Sequence, residues 1–180
     1  EFGSTELAIS VVTAMHFIPA VIIAPFSGAI IDRFKIKPLM VSLLSIELIM
    51  TLCFLTIDNK NDIWLLMIFI FVRMSAASMF FSTEMSLLAK LLNGKALQQA
   101  NEIHSIIWSF TYAAGMAMSG IIVNFVGIKI AFIIDSMFFL VALIVFINID
   151  FKVKASIVQD KIWELIKDFF LYIKNNRIIL

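Results

Sequence analysis

The chain has 180 residues, of which 62% are hydrophobic and 15% charged, and its formal net charge is +1. Soluble domains are roughly 45–50% apolar, whereas the mean hydropathy here is +1.02. That excludes an ordinary soluble domain, and the scattered Lys and Arg offer no basic patch for nucleic acid.

The apolar residues come in blocks of about 20, which as helices cross a hydrocarbon layer of about 30 Å. The blocks predict spans over about 7–31, 39–57, 63–81, 103–126 and 128–149, the third continuing as helix toward Leu91. The expected fold is an all-α polytopic membrane helical bundle of about five transmembrane helices, 1–150, followed by an amphipathic cytoplasmic linker.

The first block carries His16 about halfway along, a candidate proton relay or, alternatively, a hydrogen-bonded packing residue, and Pro19 and Pro25, which remove intrahelical hydrogen bonds and predict a bend. It ends in Gly28-Ala-Ile-Ile-Asp32-Arg33-Phe-Lys35-Ile-Lys37, where charge is concentrated between two oily runs. Gly28 permits close approach of a neighbouring helix, Asp32 suits the N-terminal N–H groups of another helix, and Arg33 can reach a carboxylate. Lys35 and Lys37 are accounted for by orientation and anionic headgroups.

The second block contains Glu47 and the single cysteine, Cys53, which has no partner for an internal disulfide and reads as an apolar packing residue. The third contains Arg73, with no acidic residue within a helical turn, so its partner must come from another helix: Glu47, or a carboxylate outside this chain. An ionisable group at such depth costs about 2.5–3.5 kcal/mol on insertion scales and is a functional candidate by default. A structural buried ion pair is the alternative.

Asn101, Glu102 and His104 open the fourth block and read as capping and interfacial groups. Further along, Gly115, Ser119 and Gly120 let two helix backbones meet. After the turn Asn124-Phe-Val-Gly127, the fifth block carries Asp135 about a turn and a half inside, a candidate for the coupling or substrate pathway or, alternatively, a cap or contact to the outer headgroup region.

Arg33, Lys35 and Lys37, then Lys90 and Lys95, then Lys152, Lys154 and Lys161 fall on one side of the five-span arrangement. The positive-inside bias makes that side cytoplasmic, placing the start of the chain outside and its end inside. Residues 151–176 contain Ile162, Trp163, Leu165, Ile166, Phe169, Phe170 and Ile173 at helical spacing, a surface-lying linker or a helix packed on a further domain. The last four residues, 177–180, read as the start of another span. No initiator Met opens the chain and no signal-peptide pattern precedes the first block, so the expectation is a piece of a longer polytopic protein.

The sequence has no phosphate-binding Gly-rich loop, no metal-ligand spacing and no nucleophile–base set, since its two His lie in separate spans. An enzyme has little to work with, and no catalytic residue, metal or cofactor is assigned.

With these residues placed, the chain resembles the major facilitator superfamily of secondary transporters, in particular its drug and siderophore exporters of the macrolide-efflux and enterobactin-exporter type. Gly28, Asp32, Arg33 and Lys37 match the motif Gly-x-x-x-Asp-Arg-x-x-x-Lys/Arg between the family's second and third helices. Arg73 in its fourth helix, Ala100-Asn101 opening its fifth and Phe132-x-x-Asp135-x-x-Phe138 in its sixth extend the likeness. The resemblance implies the N-terminal half of an alternating-access transporter, lacking the first helix and the C-terminal half, in a cytoplasmic (inner) membrane. It implies a small-molecule substrate and protons as partners, Asp32 and Arg33 bracing the cytoplasmic gate, and Arg73 in proton coupling. One departure stands out. Exporters of the superfamily often carry Gly-Pro-x-x-Gly-Gly in the fifth helix, where this chain has Gly115-Met-Ala-Met-Ser119-Gly120. The competing class is a non-transporting membrane scaffold or assembly subunit.

Overall fold

A computed structural model describes residues 6–59 and 62–150, with side chains from Ser10 onward. The linker expected at 151–176, the span expected at 177–180 and the residues before Glu6 lie outside the described residues. The described chain forms five α-helices, α1 (Glu6–Arg33), α2 (Ile36–Cys53), α3 (Ile63–Leu91), α4 (Gly94–Val126) and α5 (Ile128–Asn148), with a 3₁₀ turn, Phe54–Thr56, after α2. All five are long and apolar enough to cross a membrane, and no strand occurs among the described residues.

The helix ends differ from the apolar blocks for local reasons. α2 starts at Ile36, with Pro38 in its first turn, where a missing N–H costs no intrahelical bond. α4 starts at Gly94, well before its apolar block, because Asn93 is extended and Gly94 takes φ +54°, a break after which Lys95 to Gln99 continue as helix. Asn101, Glu102 and His104 are therefore interior helix residues and do not cap α4. The turn expected over Asn124 to Gly127 narrows to Gly127, since α4 runs through Val126. Helix α1 is continuous across Pro19 and Pro25.

The middle of the bundle is α2, which packs on both α3 and α5, while α3 also packs along α1. The buried residues of α2, Ile36, Met40, Leu43, Leu44, Glu47 and Thr51, recur at helical spacing and form its inward stripe. On α3 the matching stripe is Ala76, Met79, Thr83 and Leu87. Ile31, Leu43, Ala76 and Met79 make one core cluster, and Ile36, Met40 and Leu87 a second. Buried hydroxyls are satisfied within their own helices: Thr51 Oγ1 donates to the Glu47 carbonyl at 2.8 Å and Thr83 Oγ1 to the Met79 carbonyl at 2.7 Å. This lets two polar residues sit in an apolar core without an orphaned donor.

Helix α4 is different, with no buried residue and lighter contacts to α5 and α3. Exposed Phe110, Phe125, Phe138, Trp64 and Val21 give the bundle an apolar exterior, the surface a hydrocarbon solvent requires.

Candidate functional site

Arg73 lies ten residues beyond the start of α3, about 15 Å along the axis, and Asp135 seven residues beyond the start of α5, about 10 Å. The two starts lie at the same end of the bundle, where Asp58 before α3 and Lys129 at the start of α5 form an ion pair. Helical side chains lean toward the N-terminus of their helix, so the long Arg73 side chain reaches back toward the shallower Asp135. The result is a salt bridge from Nη2 to Oδ2 of 2.9 Å.

Aromatic rings complete the site. The Arg73 guanidinium lies 5.9 Å from the Phe54 ring centroid and 5.2 Å from that of Phe139, within the range at which a cation is attracted to a ring face. Phe54 is held by Phe132 at 5.1 Å and Phe69 at 6.3 Å. It is the 3₁₀ turn after α2 that carries this ring inward. Arg73 Nε is buried and has no hydrogen-bond partner among the described residues.

Glu47, buried on α2, is within electrostatic range of both Arg73 and Asp135. The direct partner of Arg73 is Asp135, and no ion pair within 4.0 Å involves Glu47 among the described residues. Depth along α5 alone does not show this contact, because it depends on the lean of the arginine opposite.

A cavity of about 440 Å³ opens beside the pair, lined by Val12, Thr13, His16 and Phe17 of α1, Phe54, Arg73 with its α3 neighbours, and Phe132. His16 thus shares a wall with Arg73, and its ring packs edge-on against Phe17 at 5.1 Å. A second cavity of about 760 Å³ lies between α4 and α5, lined by Gly115, Ser119, Phe138 and Asp135 among others. Asp135 therefore faces the second space, while its partner Arg73 lines the first.

The charged motif at the opposite end is divided between two ion pairs. Asp32 lies 3.7 Å from Lys90 Nζ, joining the end of α1 to the end of α3, and Lys37 lies 3.9 Å from Asp150 beyond α5. Arg33 is exposed and makes no ion pair among the described residues. The small residues singled out for close packing have room to spare: a Cβ built at Gly28, Gly115 or Gly120 would meet nothing within 4 Å. No described helix is seated against them, and Gly115 and Ser119 line a cavity instead.

Two contacts had no counterpart in the linear reading. Glu84 Oε2 on α3 lies 3.3 Å from His104 Nε2 on α4, and Phe54 and Phe139 flank Arg73. Glu84 lies beyond the apolar core of its block, eleven residues after Arg73 and so back on nearly the same helix face. That spacing was the available signal.

No group of three or more His, Cys, Asp or Glu among the described residues is arranged to hold a metal ion. The geometry defines a bundle of helices long and apolar enough to span a membrane, with a charge pair between two of them and an apolar cavity against it. The sequence agrees in kind: residues 1–180 match the profile of the Major Facilitator Superfamily, and the chain belongs to that family. It is also similar to the uncharacterized MFS-type transporter YfiS of Bacillus subtilis (strain 168), 28% identical over 185 aligned positions that cover 100% of this chain and 44% of YfiS. The chain thus spans less than half the length of this curated relative. No solved structure matches it.

Proposed function

We propose that the chain supplies one helical bundle of an alternating-access transporter that exports amphipathic small molecules in exchange for protons. The observation that carries this reading is the Arg73–Asp135 pair at 2.9 Å, with Glu47 alongside and a cavity of about 440 Å³ against it. A buried arginine with carboxylates on two other helices can exchange partners as a proton is taken up or released, and an apolar cavity with Phe walls suits an amphipathic substrate. Membership of the superfamily and the similarity to an MFS-type transporter support transport over a scaffold role.

In this reading the end of the bundle with Arg33, Lys35, Lys37 and Lys90 faces the cytoplasm of a bacterial inner membrane. Asp32 and Arg33 serve the inner gate, with Lys90 holding Asp32 when the gate is open. The remaining helices of the transporter complete the substrate site. The test is the full-length protein in proteoliposomes. Substrate-dependent proton movement, reported by a trapped pH dye, supports transport. Its absence across a panel of amphipathic cations, anions and neutral compounds, with correctly inserted protein, favours the scaffold reading.

A further inference from the structure

Among the described residues Glu47 is the one charged-type side chain that is buried, 7% exposed on the inward stripe of α2. Its level in the bundle follows from the contacts that bracket it. α2 and α3 run antiparallel and share the core cluster of Leu43, Ala76 and Met79, and beyond it the Phe54 and Phe69 rings meet at 6.3 Å. Between these two contacts, Glu47 lies one turn from Leu43 and Arg73 one turn from Ala76, in opposite senses along the two chains, which sets them level with each other.

They do not pair, and the reason is local. Helical side chains lean toward the start of their own helix, so Glu47 leans toward the start of α2 while Arg73 leans the other way, to Asp135, and the two heads part. The Glu47 backbone carbonyl accepts from Thr51, but its carboxyl makes no ion pair and no hydrogen bond among the described residues. Arg73 in turn has a donor to spare: Nη2 goes to Asp135, and Nε is buried without a partner among the described residues. The other charged groups around Glu47 are few. α3 offers Arg73, with Glu84 and Lys90 three turns and more further along. α5 offers Asp135, with Lys129 at its start and Asp150 beyond its end, and the 3₁₀ turn offers none. On α2 itself Lys37 lies at the far end, and on α1, which reaches this core through Ile31, Asp32 and Arg33 lie at the helix end and His16 on the cavity wall shared with Arg73.

We propose that Glu47 is the proton-binding carboxyl of this centre and Asp135 the standing counterion of Arg73. An ionised Glu47 would be a buried charge with no countercharge of its own, a state that groups escape by holding a proton, and further chain can only add to the burial. In the arrangement seen here Glu47 carries its proton on a carboxyl oxygen, Arg73 and Asp135 are ionised, and the centre is neutral. Loss of that proton to water leaves the centre with one negative charge and gives a carboxylate that draws the guanidinium, through its unpartnered Nε–H, away from Asp135. Return of the proton restores the Arg73–Asp135 pair. As the proton exchanged for substrate it rests on the transport reading above; as a proton site it stands apart from it.

The experiment is infrared spectroscopy of the full-length protein in lipid membranes at about pH 7, where an ordinary glutamate, of reference pKa about 4.3, is ionised. The band read is the carbonyl stretch of a protonated carboxylic acid. It should be present in wild type, move to lower frequency when the protein is made with glutamate carrying a heavy isotope at its side-chain carboxyl carbon, and be absent from Glu47→Gln. Asp135→Asn should lose it too, because Arg73, freed of its partner, then holds Glu47 ionised. The proposal is overturned by a wild type with no band that follows the glutamate label, which decides the matter even where a variant fails to fold. It is equally overturned by a glutamate band that survives Glu47→Gln or persists in Asp135→Asn, or by a band that follows labelled aspartate and is lost in Asp135→Asn. Failure of the transport reading shows differently: no proton movement in proteoliposomes, with the Glu47 band in place, removes transport and leaves the proton site standing.

Discussion

Arg73 on α3 and Asp135 on α5 are 62 positions apart in sequence and 2.9 Å apart in space. Both helices lie against α2, and they touch each other through side chains, at this pair and at Phe80 and Phe146. The ion pair is thus a bond between two neighbours of a common central helix, well suited to being remade when those neighbours move.

If the pair is an ionic tie, its two halves are worth less apart than together. Arg73→Met alone and Asp135→Leu alone should each lower unfolding stability by about 1–3 kcal/mol, because each leaves a charge without its partner. The double variant should recover most of that loss. Thermal unfolding in one detergent measures all three, and a double variant as unstable as the sum of the singles would show that the two residues act independently.

The central position of α2 predicts a contrast between its faces. Met40 is fully buried and Ile46 is exposed. Met40→Ala should cost about 2–5 kcal/mol through lost contacts and the cavity left behind, and Ile46→Ala about 0.5 kcal/mol or less. Equal losses would mean that α2 is not packed between α3 and α5.

Gly127 joins α4 to α5 with φ +82° and ψ 165°, a region that is essentially glycine's own. A Cβ there would meet no atom within 4 Å, so the cost of Gly127→Ala is conformational only, about 1–3 kcal/mol. Reduced melting temperature with unchanged helix content by circular dichroism is the expected result, and an unchanged melting temperature would argue that the turn is built differently.

Asp58 and Lys129 form an exposed ion pair that ties the α2–α3 connection to the start of α5. Cysteines at both positions, in a Cys53→Ser background, should be joined by a short bifunctional thiol reagent and be labelled by an impermeant one from the same side of the membrane. Labelling from opposite sides would break the five-helix arrangement.

The five helices were legible because a hydrocarbon solvent demands long apolar runs, and the runs were unbroken. Their ends were less so. Gly94 and Pro38 extend α4 and α2 into polar sequence, where hydropathy carries no signal, and this moved Asn101, Glu102 and His104 from cap positions to the helix interior. The same limit applies to the site. Arg73, Asp135, Glu47 and His16 each stood out as polar groups in apolar surroundings, but which carboxylate meets the arginine depends on the helix arrangement and the lean of a long side chain. Phe54 could not have been found by composition among 18 phenylalanines. It matters because a 3₁₀ turn aims it at the guanidinium.

The most direct test of the account is transport by the full-length protein in proteoliposomes, with and without an imposed pH gradient, for wild type and Arg73→Ala. The account predicts substrate movement that rises with the gradient in wild type and is uncoupled from it in the variant. Movement that is equal with and without the gradient, or coupling that persists in Arg73→Ala, would contradict it.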